Sequence, residues 1–310
     1  MSWGYSAMSE RITPEMVTSR TLSDLSSSLA ALERTTNELS SGNTILEPSD
    51  NPYGASQVIG LQSQLDGLSE YEKEAQNGIS WESTASSAMT NIGEVTQRVR
   101  ELLVEGANGT YNNNDLETMA LQVEQLTESV KQDANTQYAG QYVFSGTATT
   151  TAPYENGPGD EFKGNTESVS RAVGPSATVT VTTNISTLLG SGEAAEDGKL
   201  LNTLRTIVKN MREGTAGQAA LGTTDLQKLD GNIETLTQLQ AVSGSATQQL
   251  HTALARNEQL QTTITAALAN TDATNIPAAS VQYANEQAAY EAALRAGATI
   301  VQESLLNFLQ

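Results

Sequence analysis

Leucines at heptad spacing near the start of the chain constrain its fold more than any other feature. Leu22, Leu25, Leu29, Leu32 and Leu39 follow alternating steps of three and four, with Thr36 in the vacant heptad position. Two apolar positions in seven make the narrow seam of a coiled coil rather than the broad face of a globular helix. Near the other end Tyr290, Leu294, Val301, Leu305 and Phe308 keep to one helical stripe. A terminal helix with so narrow a stripe cannot bury it alone. Each end therefore needs the other or another molecule, and both seams are candidate assembly surfaces.

Between the ends, Asn51-Pro52 reads as an N-cap followed by a first-turn proline. The apolar stripe then runs through Leu61, Leu65, Leu68, Ala75, Ile79, Met89, Ile92, Val95, Val99 and Leu102. It stops at Gly106-Ala107-Asn108-Gly109, where glycines are expected to supply the left-handed conformation of a helix end. Asn112 to Asp115 offers a new cap, and Leu116, Met119, Val123, Leu126 and Val130 complete a helical hairpin.

From about Gly140 to Gly192 the helical period vanishes and Gly, Thr, Pro and Val dominate. Val179-Thr180-Val181-Thr182 alternates as a half-buried strand does, so a small β-rich insert is expected. Helix resumes near Lys199. Leu226, Leu229, Ile233, Leu236, Leu250, Leu254, Ile264 and Leu268 carry it onward, with polar Gln240, Ser243, Thr247 and Gln261 in the seam. The expected fold is mainly α, a long coiled-coil-like helical rod of N- and C-terminal segments with a β-rich insert. Its predicted divisions are an N-terminal helix at 1–42, rod at 43–150, β-rich outer lobe at 151–195, rod at 196–272 and a C-terminal helix at 273–310.

Charge narrows function. Against 36 acidic residues stand 16 basic ones, a net charge of −20. Such a chain repels a phosphate backbone, which excludes nucleic acid as a partner. Without cysteine there is no disulfide, thiolate metal site or thiol nucleophile. No apolar run reaches the roughly 18–20 residues of a membrane span, so no membrane insertion is expected. The first residues lack the charged-then-apolar layout of a cleaved signal.

Catalytic vocabulary is missing too, with no phosphate-binding glycine loop, zinc-protease helix or nucleophile elbow. The lone His251 reads as a solvated helix position, and the Asp160-Glu161 pair as a solvated turn. Asn108-Gly109-Thr110 has the glycosylation pattern, although the helix-end reading already accounts for its glycine. No catalytic residue, metal or cofactor is expected.

Two long segments carry a family resemblance. Thr96-Gln97-Arg98-Val99-Arg100-Glu101-Leu102-Leu103-Val104-Glu105, running into Gly106 to Thr110, resembles a helical segment of bacterial flagellins. Leu39-Ser40-Ser41-Gly42, then Pro48-Ser49-Asp50-Asn51-Pro52-Tyr53-Gly54-Ala55, resembles the turn joining a flagellin's terminal helix to its rod. The two prolines of that turn, Gly140-Gln141-Tyr142-Val143-Phe144-Ser145-Gly146-Thr147, and Glu303 to Leu309 are closer to the hook–filament junction family than to filament flagellins.

The resemblance implies a structural protein exported through the flagellar type III channel, assisted by an export chaperone and without a cleaved signal. It implies a homo-oligomeric ring at the end of the hook, between a neighbouring hook-associated protein and the flagellin that polymerises on it, hence an extracellular location on the bacterial flagellum. In that setting Pro48, Asp50, Asn51, Pro52, Gly54, Arg98, Arg100 and Glu101 are the family-motif residues of turn and rod. Filament flagellin is the nearest alternative, and a secreted coiled-coil adhesin a more distant one.

Overall fold

The structure is a computed structural model in which residues 14–157, 159–192 and 197–308 are described, with backbone alone for 14 and 300–308. The chain is mainly α-helical. In order, it comprises α1 (Pro14–Ser41), α2 (Pro52–Gly106), α3 (Asn113–Ala134), β1 (Gln137–Tyr138), β2 (Gln141–Tyr142), β3 (Ser170–Gly174) and β4 (Ala177–Thr180). Then follow α4 (Ser186–Leu189), α5 (Leu200–Arg212), a 3-10 turn at Gly214–Ala216, α6 (Gln218–Ala220), a π turn at Leu221–Asp225, α7 (Leu226–Asp272) and α8 (Ile276–Phe308). Two compact units divide it, residues 1–65 with 262–310, and residues 66–261. The long helices α2 and α7 each contribute to both.

In the first unit α1 packs along α8. In the second, one core joins α2, α3, α5 and α7 with the irregular segment between α3 and α5. Within it α2 and α7 run antiparallel, with Gly78 against Leu250, Glu82 against Ser243, Gly93 against Leu236 and Arg100 against Asp230. A Cβ at Gly78 would lie 3.1 Å from both Leu250 methyls, and one at Gly93 would lie 3.3 Å from Leu236. These glycines let two leucines seat directly on the α2 backbone.

Within the second unit the buried residues of α7, Leu229, Asn232, Leu236, Ser243, Ala246, Leu250 and Asn257, keep a strict heptad whose other two positions, Leu239 and Ala253, are partly buried against the same core. Every buried polar member has a partner. Asn232 donates to Thr203 Oγ1 and Gly198 O, Ser243 to Glu82, and Asn257 to the Val173 carbonyl at 3.1 Å. A buried amide or hydroxyl is tolerated only with such partners.

Among the described residues the strands form two antiparallel hairpins, β1–β2 and β3–β4. The β3–β4 hairpin packs over α2 and α7. Arg171 of β3 lies 3.4 Å from Glu74 and 6.0 Å above the Trp81 ring, and Asn257 holds Val173.

Two sequence expectations fail here. The end of α2 contains no left-handed glycine, since neither Gly106 nor Gly109 has a positive φ. Gly106 is instead a packing position, where a Cβ would sit 3.4 Å from Met211 Cε, and Gln218 Nε2 donates to the carbonyls of Gly106 and Asn108 to close the helix. Nor is Asp160 a solvated turn residue. It is 4% exposed and ion-paired with Lys131 and Arg205, because the loop folds back onto α3 and α5.

Candidate assembly surfaces

The terminal helix pair uses only half of the sequence seam. Leu25, Leu32 and Leu39 are half-buried, whereas Leu22 is 61% and Leu29 39% exposed. The shielded positions of α8 are Ala279, Tyr283, Glu286, Tyr290, Ala293 and Gly297, and Leu294 is 43% exposed. The helices run antiparallel. Thr35, 1% exposed, donates its hydroxyl to Glu286 Oε2 at 2.5 Å, and Gly297 admits Thr21. Met16, Leu22 and Leu29 on α1, and Ile276, Val281 and Leu294 on α8, are apolar side chains left exposed beside this contact. The side chains of Val301, Leu305 and Phe308 lie outside the described residues.

Where the two helices meet the rest of their unit, the backbones clasp. Asn43 forms an antiparallel bridge with Ala273; Thr44 N–H donates to Asp272 O at 2.6 Å, and Thr274 N–H to Gly42 O at 2.9 Å. The Asp272 carboxylate adds a bond from Ile45 N–H at 2.8 Å. Gly42, with φ 74°, makes the sharp exit from α1 that this clasp requires.

The following turn is built from the motif residues. Pro48 occupies the second position of a turn closed by Asp50 N–H to Glu47 O at 3.0 Å, the position proline's fixed φ suits. Asp50 Oδ2 accepts from Leu46 and Glu47 N–H, and its Oδ1 faces Arg34 on α1 at 3.5 Å. Asn51 caps α2 by accepting from Gly54 N–H at 3.0 Å, ahead of Pro52 at the first helical position. Gly54 has to be small: a Cβ there would come within 2.6 Å of both Asn51 Nδ2 and Ile45 Cδ1. The spacing Asp50-Asn51-Pro52-Gly54 is therefore a single capping device.

In the second unit, Arg100 reaches from α2 to Asp230 of α7 at 2.8 Å, and Arg98 pairs with Glu101 at 2.7 Å along the helix surface. Arg98 forms the ridge between two shallow grooves. One is lined by Gly93, Gln97, Ile233, Leu236 and Gln240, the other by Thr118, Leu121, Gln122, Gln125 and Leu126. Leu121 is half exposed at 50%.

Two charged features escaped sequence reading because their partners are distant in the chain. Glu82, 1% exposed, accepts the Ser243 hydroxyl; its burial pushes the carboxyl up to about 7 despite that bond. Lys131, wholly buried, donates to the carbonyls of Glu155, Gly157 and Gly159 and meets Asp160 at 2.7 Å. Burial alone would raise the Asp160 carboxyl, but hydrogen bonds from Arg205 and Lys131 outweigh it and hold it below the usual range. His251 is solvent-exposed. Among the described residues no group of three or more potential ligands is placed to hold a metal, and no helix is long and apolar enough to cross a membrane.

Residues 12–149 match the family described as the bacterial flagellin N-terminal helical region. Flagellar hook-associated protein 3 of Escherichia coli strain K12 is 26% identical over 172 residues, covering 55% of this chain and 54% of that protein. Phase 1 flagellin of Salmonella naestved is 31% identical over 139 residues, 44% of this chain and 28% of that one. The chain thus aligns with about half the length of the hook-associated relative and less of the flagellin. Among solved structures, a flagellar hook-associated protein from Vibrio parahaemolyticus shares the fold with a TM-score of 0.65 at 16% identity, over 72% of this chain and 100% of that one.

Proposed function

From the premise that the chain belongs to the flagellin superfamily, its residues 12–149 matching the flagellin N-terminal helical region, we propose that it is a structural subunit of the bacterial flagellum at the hook–filament junction. The observation that carries this reading is the terminal helix pair, which satisfies one stripe internally and leaves Leu22, Leu29 and Leu294 open to other subunits. In this role the chain forms a homo-oligomeric ring, seated on a neighbouring hook-associated protein, from which flagellin polymerises. It has no catalytic task.

Leu22, Leu25, Leu29, Leu32, Leu39, Leu294, Val301, Leu305 and Phe308 form the assembly interface, with Leu25, Leu32 and Leu39 acting through the helix pair. Pro48, Asp50, Asn51, Pro52 and Gly54 fix the entry into α2, and Arg98, Arg100 and Glu101 belong to its far surface. The division into terminal helices at 1–42 and 273–310, rod segments at 43–150 and 196–272 and an outer lobe at 151–195 belongs to the same proposal. So do export as an unfolded chain with a chaperone, and an extracellular location. Ordering the terminal helices only against neighbours would make assembly cooperative and delay it until subunits are adjacent.

Deleting the gene and imaging the cells tests this directly. Intact hooks without filaments, with flagellin released into the medium, are the expected result; normal filaments on normal hooks would refute it. Filament flagellin is the second reading, favoured by the 31% identity to Salmonella flagellin. Purified chain that elongates alone into long filaments on seeds would select it.

A further inference from the structure

Three Asn-Gly pairs occur in the chain, Asn77-Gly78, Asn108-Gly109 and Asn156-Gly157. Asparagine is thermolabile, and a following glycine removes the side chain that would hinder attack by its own nitrogen. The fold treats the three differently. Gly78 lies inside α2, where its N–H belongs to the helical ladder and Leu250 crowds it. Gly157 N–H donates to Glu128 Oε2 at 2.9 Å. Asn108 and Gly109 are exposed, and neither the Gly109 N–H nor the Asn108 side chain has a hydrogen-bond partner among the described residues. Gly109 needs no glycine for shape either: its φ is not positive, and a Cβ there would meet nothing within 4 Å.

We propose that Asn108 is a site of self-modification, its side chain converting through a succinimide to aspartate and isoaspartate. The Gly109 backbone nitrogen gives its proton to solvent base and attacks Asn108 Cγ; a C–N bond forms, and the side-chain nitrogen leaves as ammonia after taking a proton from water. Water then opens the ring at either carbonyl, so that NH2 is replaced by OH overall. Opening at the backbone carbonyl routes the chain through the side-chain carbon.

The product matters for the α2–α3 connection. The Asn108 carbonyl accepts from Tyr111 N–H at 3.4 Å and Gln218 Nε2 at 3.3 Å, and isoaspartate displaces that carbonyl. Either product also adds a negative charge past the end of α2, whose last turn has no basic residue to offset it.

The test incubates the purified full chain at mildly alkaline pH, folded and urea-unfolded in parallel, and maps peptides by mass and by isoaspartyl methyltransferase labelling. In the unfolded chain all three pairs gain about one dalton at comparable rates. In the folded chain the gain concentrates at Asn108, with Asn77 and Asn156 suppressed manyfold. N108Q abolishes it, and G109A, which the open space around Gly109 accommodates, slows it strongly while leaving the helical signal intact. Suppression of Asn108 on folding to the level of Asn156 would overturn the proposal.

Discussion

The Lys131 ammonium, shut off from solvent, lies 2.7 Å from Asp160 Oδ1, and Arg205 Nε holds the other carboxylate oxygen at 2.9 Å. Removing one member of such a group leaves a buried charge uncompensated, which typically costs about 3–5 kcal/mol. Asp160→Asn is therefore expected to destabilise the second unit by roughly that amount in urea unfolding. Lys131→Met, which leaves Asp160 its arginine, costs less. Because the Asp160 carboxyl is held below its ordinary value, its contribution is present above the usual carboxylate range and lost as the pH falls through the lowered folded value. Equal losses for the two variants would contradict this assignment.

Glu82 has the opposite sign. Its folded pKa, about 7, lies above the ordinary 4.5, so the folded state binds the proton more tightly. The stability it contributes is full below about 4.5 and lost as the pH rises through 7, a change of at most about 3 kcal/mol. Glu82→Gln, which can still accept the Ser243 hydroxyl, flattens that part of the profile and stabilises the chain at alkaline pH. Chemical denaturation across this window reads it out. An unchanged slope would place the carboxylate in water.

The split of the α1 seam separates folding from assembly. Leu22→Asp puts a charge on a 61% exposed position and is expected to leave the helix pair intact while blocking incorporation onto hooks. Leu25→Asp faces α8 and should cost the pair about 1–3 kcal/mol as well. Circular dichroism with a sedimentation assay for assembly distinguishes them. Matching effects in both assays would remove the distinction.

Ala139 has φ 49°, followed by Gly140 at 78°, the paired left-handed residues of a tight hairpin between β1 and β2. Ala139→Asn suits that geometry and should raise stability by about 0.5–1 kcal/mol, seen as a higher thermal midpoint.

Local signals were largely legible. The Asn51-Pro52 cap, the Asn112 capping box with Asp115, and the helical period of α2, α3 and α7 are short-range, so sequence exposes them. The partners of Asp160 and Glu82 were not, because Lys131, Arg205 and Ser243 are remote in sequence and only tertiary packing chooses between a wet and a dry carboxylate. Separating Leu25 from Leu22 likewise requires knowing which flank of α1 meets α8. Heptad spacing assigns both to one seam. The π turn at Leu221–Asp225 left no sequence mark, although Asn210 donates at 2.6 Å to its buried last residue, Asp225.

The clasp of Thr44 with Asp272 also governs which lengths the chain can tolerate. Because α1 ends and α8 begins at the same bridge, residues along the two helices are counted from a common origin in opposite directions. Seven residues inserted into α1 beyond Thr35 would slide every later contact, including Thr21 against Gly297, unless α8 grew by the same seven. Viable length variants of this unit should therefore carry compensating insertions or deletions in both helices, in multiples of the heptad.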